Sequence, residues 1–243
     1  MSQPSSLTYL GTELELMLEA TQWKRLLAKQ IAPFVRGRVL EVGGGIGGNR
    51  ASFANDRVST WTALEPDPEL AARYRLRLAA AGLSGEVHTR MLGQADRCAY
   101  DSVIYADVLE HIKDDQKEVA LALDALTVGG HLLIIVPAHP FLFSEMDQRI
   151  GHHRRYTRAT LRALKPEHGR EVRARYLDCV GILASLANRL ALRQAAPTRR
   201  QILFWDRLLV PLSGVLDPLT GYRLGKSALI VWQRVADSKA EPT

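Results

Sequence analysis

The spacing of apolar residues changes period along the chain, and each change marks an element. Between Glu13 and Ile31 the residues Leu14, Leu16, Leu18, Trp23, Leu26, Leu27 and Ile31 recur at largely helical intervals. They predict one amphipathic helix closed by Pro33, inside an N-terminal helical segment, 12–36. The apolar run Arg38-Val39-Leu40-Glu41-Val42 then reads as a strand running into glycines, with Ile46 to Ala54 as the helix behind it. Strands are predicted over Val58 to Glu65, Glu86 to Leu92, Asp101 to Asp107 and His131 to Val136, with helices over Pro68 to Ala81 and Asp114 to Leu126. Such alternation makes parallel βαβ units with helices on both faces. Thr157 caps a helix through Leu164, Glu171 to Val180 reads as a further strand, and Lys226 to Val235 as the last. The polar ends, Met1 to Ser6 and Asp237 to Thr243, read as frayed.

One stretch breaks the alternation. Gly181 to Tyr222 holds two apolar segments, Ile182 to Leu192 and Ile202 to Leu219, around Ala195-Ala196-Pro197-Thr198-Arg199-Arg200. It reads as a helical insertion, 181–222, before the last strand: extra core, a lid, or a membrane-surface patch. The 243 residues suit a single α/β domain, 1–243, carrying that insertion. Two cysteines, Cys98 and Cys179, have neither disulfide-framework nor metal spacing, and no basic-then-apolar leader or run of about 18 apolar residues is present. The expected location is cytoplasmic, with peripheral membrane contact through 181–222 as an alternative. Of the +6 formal charge, 13 Lys/Arg against Glu167, Glu171 and Asp178 fall between Arg149 and Arg200, so the remainder is net acidic. That region is either a solvated surface or a face for an anionic substrate, a lipid headgroup or nucleic acid.

The densest chemistry is Glu41-Val42-Gly43-Gly44-Gly45-Ile46-Gly47-Gly48. Glycines between a strand and a helix let the backbone turn sharply and bring free N–H groups to a ligand. Gly43, Gly45 and Gly48 fit the dinucleotide pattern G-x-G-x-x-G, while Glu41, Gly43, Gly45 and Gly47 fit the E-x-G-x-G-x-G of enzymes that bind S-adenosylmethionine (SAM). Charge favours the second. A carboxylate two residues before the first glycine is a poor neighbour for a pyrophosphate, but it can hold the ammonium of SAM directly or through water. Glu65, at the end of the second strand, suits the two ribose hydroxyls that both cofactors carry, and Asp67 suits the cap of the helix starting at Pro68.

Together, Val39 to Gly47, Leu64-Glu65-Pro66-Asp67, Tyr100-Asp101-Ser102-Val103, Asp107-Val108-Leu109-Glu110-His111-Ile112 and Val128-Gly129-Gly130-His131-Leu132 resemble the ordered motifs of class I SAM-dependent methyltransferases. More weakly, Gly151-His152-His153-Arg154-Arg155-Tyr156-Thr157 and Gly225-Lys226-Ser227 resemble a bacterial subgroup often found beside glycosyltransferases. The resemblance implies a doubly wound, Rossmann-like seven-stranded sheet with the last strand antiparallel. It also implies cofactor contacts from Glu41, Gly43, Gly44, Gly45 and Gly47, from Glu65 and Pro66, from Leu92 and Gly93, and from Ala106 and Asp107, with S-adenosylhomocysteine (SAH) as product. Many relatives carry an acid just after the third strand for the adenine amino group. Here that place reads Leu92-Gly93-Gln94, so backbone or Gln94 must substitute.

On the acceptor side, His111 could take a proton from a hydroxyl or position the substrate. The segment from Pro137 to Tyr156 leaves the carboxyl end of the fifth strand and is expected to wall the pocket, with His152, His153 and Tyr156 orienting the nucleophile. Its alternative role is a loop in which Arg154 and Arg155 pair with Glu145 and Asp147. Asp107-x-x-Glu110-His111 resembles a carboxylate–histidine pattern by which some O-methyltransferases hold a divalent cation, to which His139, His152 or His153 could add. Relatives without metal carry the same residues, and no metal ligand is assigned from the sequence. The expected activity is methyl transfer, foremost to oxygen, on a small-molecule or lipid/saccharide-linked acceptor with anionic character. RNA methylation, a catalytically silent SAM-binding protein and a nicotinamide oxidoreductase are the alternatives; nucleic acid is disfavoured because no aromatic-interleaved RNA module accompanies the basic region.

Overall fold

The computed structural model describes residues 14–93, 96–187 and 198–236. Gln94, Arg189 and Arg193 lie outside these residues. Seven strands, β1 (Gly37–Val42), β2 (Val58–Leu64), β3 (Glu86–His88), β4 (Tyr100–Ala106), β5 (Leu126–Pro137), β6 (Gly169–Leu177) and β7 (Ser227–Arg234), form one sheet in the order β3-β2-β1-β4-β5-β7-β6. β1 to β5 run parallel, and β7 runs antiparallel between β5 and β6. This is the expected Rossmann-like sheet. The chain leaves β1 toward β2 on one side and returns to β4 on the other, so a crevice opens between the carboxyl ends of β1 and β4.

Both faces of the sheet are covered, which explains why its central strands are apolar at successive positions. Leu132, Ile134 and Val136 of β5 pack with Val119 and Leu123 of helix α4 (Asp115–Asp124), while Leu133 and Ile135 face Trp23, Leu27 and Ile31 of α1 (Thr21–Ile31). Around the crevice lie α2 (Arg50–Phe53) and α3 (Pro68–Ala80), the latter capped by Asp67, whose side chain accepts from Glu69 and Leu70 N–H. Beyond β5 follow α5 (Glu145–Arg149) and α6 (Arg158–Ala163), the latter capped by Thr157. The insertion contains α7 (Gly181–Ala187), α8 (Arg199–Phe204) and α9 (Val210–Leu219), the last two joined by a π-helical turn, Trp205–Leu209.

Three expectations change at the element level. The helix after β1 shrinks to α2, because the glycine turn, closed by Gly47 N–H on Gly44 O at 3.0 Å, uses the residues before it. β3 stops at His88, where Arg90 turns to grip Asp96 with hydrogen bonds of 2.7 and 2.6 Å. The single N-terminal helix is broken: residues 14–18 are helical, the chain bends at Glu19 and Ala20, and α1 begins at Thr21. Ala20 has no side chain to cap α1, and the cap comes instead from Asp206 in the insertion. Its carboxylate accepts from Trp23 N–H at 2.8 Å and Gln22 N–H at 3.1 Å.

That cap ties the insertion to the core. Ile202, Trp205 and Val210 pack in the same cluster as Trp23 and Leu27, with the Trp23 and Trp205 rings 5.8 Å apart. Trp205 is therefore buried, and its Nε1 donates to Asp178 at 2.6 Å. Replacing the fully buried Asp206 by Ala removes two charge-assisted caps and is expected to cost about 2–3 kcal/mol. Urea unfolding monitored by tryptophan fluorescence measures it. A loss below about 0.5 kcal/mol would show that solvent caps α1 equally well.

Candidate active site

β1 delivers Glu41 and then the glycine turn. The Glu41 carboxylate is buried and holds three donors: Tyr74 OH at 2.5 Å, Asn49 Nδ2 at 2.9 Å and Trp61 Nε1 at 3.2 Å. Burial raises its pKa against the pull of these hydrogen bonds. With 1% of its surface exposed, Glu41 ties the start of the turn to α2, α3 and β2 through these three donors. The Tyr74 ring fills the space under the turn: a Cβ on Gly47 would lie 2.3 Å from it, and one on Gly44 would lie 2.5 Å from it. Gly47 also has φ +79°, so both sterics and backbone demand glycine there.

Glu65 emerges from β2 beside the turn. Its Oε2 accepts Gly45 N–H at 2.8 Å and its Oε1 accepts Asp67 N–H at 3.0 Å, so it braces the loop that it was expected to serve. Burial raises its pKa, opposed by these two backbone donors. Pro66 is exposed beside it, whereas Leu92 is buried in the core under the sheet and Gly93 donates to Asp96 Oδ2 at 3.1 Å. Asp96 is thus the first acid after the third strand, and Arg90 already occupies it. The N-terminal segment, whose contribution the sequence did not reveal, closes over the turn: Leu14 lies 3.6 Å from a Cβ on Gly45, and Lys24 Nζ lies 3.1 Å from one on Gly48. Burial lowers the Lys24 pKa to about 8.

Across the crevice, Ala106 ends β4, and Asp107 takes the left-handed conformation (φ 55°) at an exposed corner. Val108 then abuts Gly43, leaving only 2.7 Å for a Cβ there, so the post-β4 turn and the glycine turn are in direct contact. In that turn Glu110 is fully buried, and neither carboxylate oxygen has a hydrogen-bond partner among the described residues. Burial pushes its pKa far up. The His111 ring meets the His152 ring edge-on at 4.6 Å, and burial lowers the His111 pKa to about 4.

The Pro137-to-Tyr156 segment does reach this corner, through His152. Asp147 accepts from the His152 ring at Nδ1 (2.9 Å) and from Arg155 at 2.8 and 3.0 Å. Burial opposes the charge on Asp147, but these hydrogen bonds hold its carboxyl well below the usual range. His152 Nε2 then lies 3.7 Å from Glu110 Oε1. Tyr156 departs from expectation. It is buried in the core with its OH donating to Asp115 at 2.8 Å and to Leu109 O at 3.3 Å, so it cannot orient a nucleophile. His153 is exposed, and its backbone N–H donates to Glu110 O. Arg155 does pair with Asp147, but Arg154 pairs with Asp115 rather than Glu145. Part of the regional basic excess is neutralised by acids outside that region, Arg154 by Asp115, Arg155 by Asp147 and Arg199 by Glu19, while Arg173 and Arg175 hydrogen-bond the neutral Gln30.

With this geometry, residues 17–179 match the family model described as a methyltransferase domain. The chain belongs to this family. No curated protein sequence matches it significantly. Solved structures share its fold at low identity. A complex between the Haloferax volcanii Trm112 methyltransferase activator and a putative methyltransferase provides a chain 15% identical, with 97% of this chain and 100% of that one covered and a TM-score of 0.64. A putative sarcosine dimethylglycine methyltransferase from Galdieria sulphuraria is 16% identical over 88% of this chain and 86% of that one (TM-score 0.61). A SAM-dependent methyltransferase from Clostridium acetobutylicum is 9% identical over 89% and 92% (TM-score 0.57).

The enzyme's methyl donor is SAM, and the crevice between β1 and β4 suits it: a glycine turn free of side chains on one wall, its N–H groups at Gly43, Gly44, Gly45 and Gly47 held by Leu64, Glu65 and Gly44, with Glu65 at the next strand end and Asp107 opposite. Glu65→Ala removes the brace on Gly45 and the expected ribose acceptor together. SAM affinity by calorimetry should fall by about 2–4 kcal/mol, and unchanged affinity would exclude Glu65 from the site.

Proposed function

We propose that the enzyme transfers the methyl group of SAM to an oxygen of a small-molecule or lipid-linked acceptor. The observation that carries this reading is the buried polar corner of Glu110, His111 and His152 beside the glycine turn, beyond Asp107. The sulfonium activates its own methyl group, so the protein's task is to align a nucleophile with the S–CH3 bond. His111 is neutral at physiological pH because burial lowers its pKa to about 4, and a neutral imidazole accepts a hydrogen bond from a hydroxyl. Asp147 holds His152 by Nδ1 and so presents Nε2 to the same corner. The arginine pairs described above leave less free basic surface for RNA, which speaks against a nucleic-acid acceptor.

The lipid-linked version is supported by the outer face of the insertion. Phe204, Leu208, Leu212, Val215 and Leu219 are all about half exposed or more and recur at helical spacing along α8 and α9. Both acids of residues 199–219 are turned inward, Asp206 onto α1 and Asp217 onto the backbone N–H groups of Asp178 and Cys179. The charged residues left on the outside are Arg199, Arg200 and Arg207, the pattern of a helix that lies on an anionic bilayer. Among the described residues no helix is long and apolar enough to cross a membrane.

Two measurements test these readings. Reaction of methyl-labelled SAM with a panel of hydroxyl-bearing small molecules and lipid-linked saccharides should yield an O-methyl product by mass spectrometry. His111→Ala should lower turnover by about 10²-fold, whereas Tyr156→Phe should leave turnover intact and cost about 1 kcal/mol of stability. Methyl found only on nitrogen or on RNA would overturn the acceptor assignment. Separately, the protein should float with phosphatidylcholine vesicles containing phosphatidylglycerol, and the double variant Leu208→Glu, Leu212→Glu should not. Equal flotation of variant and wild type would remove the stripe from membrane contact.

A further inference from the structure

We propose that Glu110, His111 and His152 form a binding site for one divalent transition-metal ion in the acceptor corner. With the ion bound, His111 is a ligand rather than a hydrogen-bond acceptor, and the acceptor oxygen meets the ion in its place; that role rests on the function proposed above, the binding does not.

One oxygen of Glu110 and one ring nitrogen from each histidine all lie within 4.8 Å of one another. Ligands at about 2.0–2.2 Å from one ion are themselves about 3–4 Å apart, so modest side-chain rotation brings the three onto one centre. Glu110 supplies an independent sign that a ligand belongs there. It is 0% exposed, and both of its oxygens lack a hydrogen-bond donor among the described residues. A carboxyl buried without a donor must either stay protonated or be met by a partner from outside the chain. A cation is such a partner.

The surroundings are those of a ligand set as well. Metal-binding histidines are usually fixed through their second nitrogen by a carboxylate or a carbonyl. Asp147 does this for His152 at Nδ1, and the Gly151 backbone hydrogen-bonds the His111 ring. Asp147 is in turn held by Arg155 and by Ser144 N–H at 2.8 Å and Oγ at 2.9 Å. Arg155, the guanidinium closest to this cluster, is thereby neutralised by two hydrogen bonds and does not oppose a cation. Two imidazoles and one carboxylate suit manganese, iron, cobalt or zinc better than calcium or magnesium, which favour all-oxygen shells. Three protein ligands also leave coordination positions for oxygens of an acceptor.

The test uses the full chain, stripped with chelator and then titrated with Co2+ and Mn2+ by calorimetry, without SAM or acceptor. One ion per chain is expected, with Co2+ giving the visible absorption of a protein-ligated ion. Glu110→Gln, His111→Gln and His152→Gln should each weaken binding by about tenfold or more, with cooperative thermal melts confirming that each variant is folded. If one variant fails to fold, the other two still decide. The proposal is overturned if the wild type shows no saturable binding of either ion up to roughly millimolar concentration, or if the folded variants bind as tightly as wild type. Cation binding without methyl transfer would leave the site standing and remove the function, and methyl transfer by a protein that binds no cation would do the reverse.

Discussion

A single buried carboxylate organises the cofactor half of this enzyme. Taking Glu41 out of water costs several kcal/mol, and the cost is offset only because Tyr74, Asn49 and Trp61 all donate to it. Those donors come from α3, the start of α2 and β2, so one charge on β1 holds three neighbouring elements in register. Tyr74 cannot reach Glu41 without laying its ring beneath the turn, and that ring is what excludes side chains at Gly44 and Gly47. The glycine pattern is therefore a consequence of the Glu41–Tyr74 bond as much as of ligand binding.

The acceptor half uses the same device with a different outcome. Asp147 is buried and charged like Glu41, and its donors are Arg155, His152 and Ser144, which fasten the segment after β5 to itself. Glu110, one layer deeper, is left without any donor. The two acids share one corner, where the fold satisfies the carboxylate that shapes the loop and leaves the other without a hydrogen-bond donor among the described residues. Val108, pressed against Gly43, brings the two halves into direct contact.

The insertion is coupled to both halves through polar contacts that would not be guessed from its apolar composition. Asp206 caps α1, whose Lys24 sits over the glycine turn, and Asp178 takes hydrogen bonds from Trp205 and from Ser213 at 2.6 Å each while lying 3.7 Å from Lys226. The outer stripe can therefore be exposed without loosening the site, since the inner face is anchored by buried acids rather than by apolar contact alone.

The seven strands and the position of the crevice were legible in the sequence, because apolar runs and glycines at a strand end are local signals set by backbone geometry; the antiparallel direction of β7 was implied only by the family resemblance, and the strand order came from the structure. The glycine turn, Glu65 and the Asp107-to-His111 turn were readable for the same reason. What only the tertiary structure decided is where each polar side chain spends its hydrogen bonds. Tyr156 and His152 stand four residues apart in one polar segment, yet Asp115 draws the first into the core and Asp147 turns the second toward Glu110. Asp206 caps a helix more than 180 residues away. Such partners are chosen by packing between distant segments, and a carboxylate carries no mark in sequence of which donor will reach it.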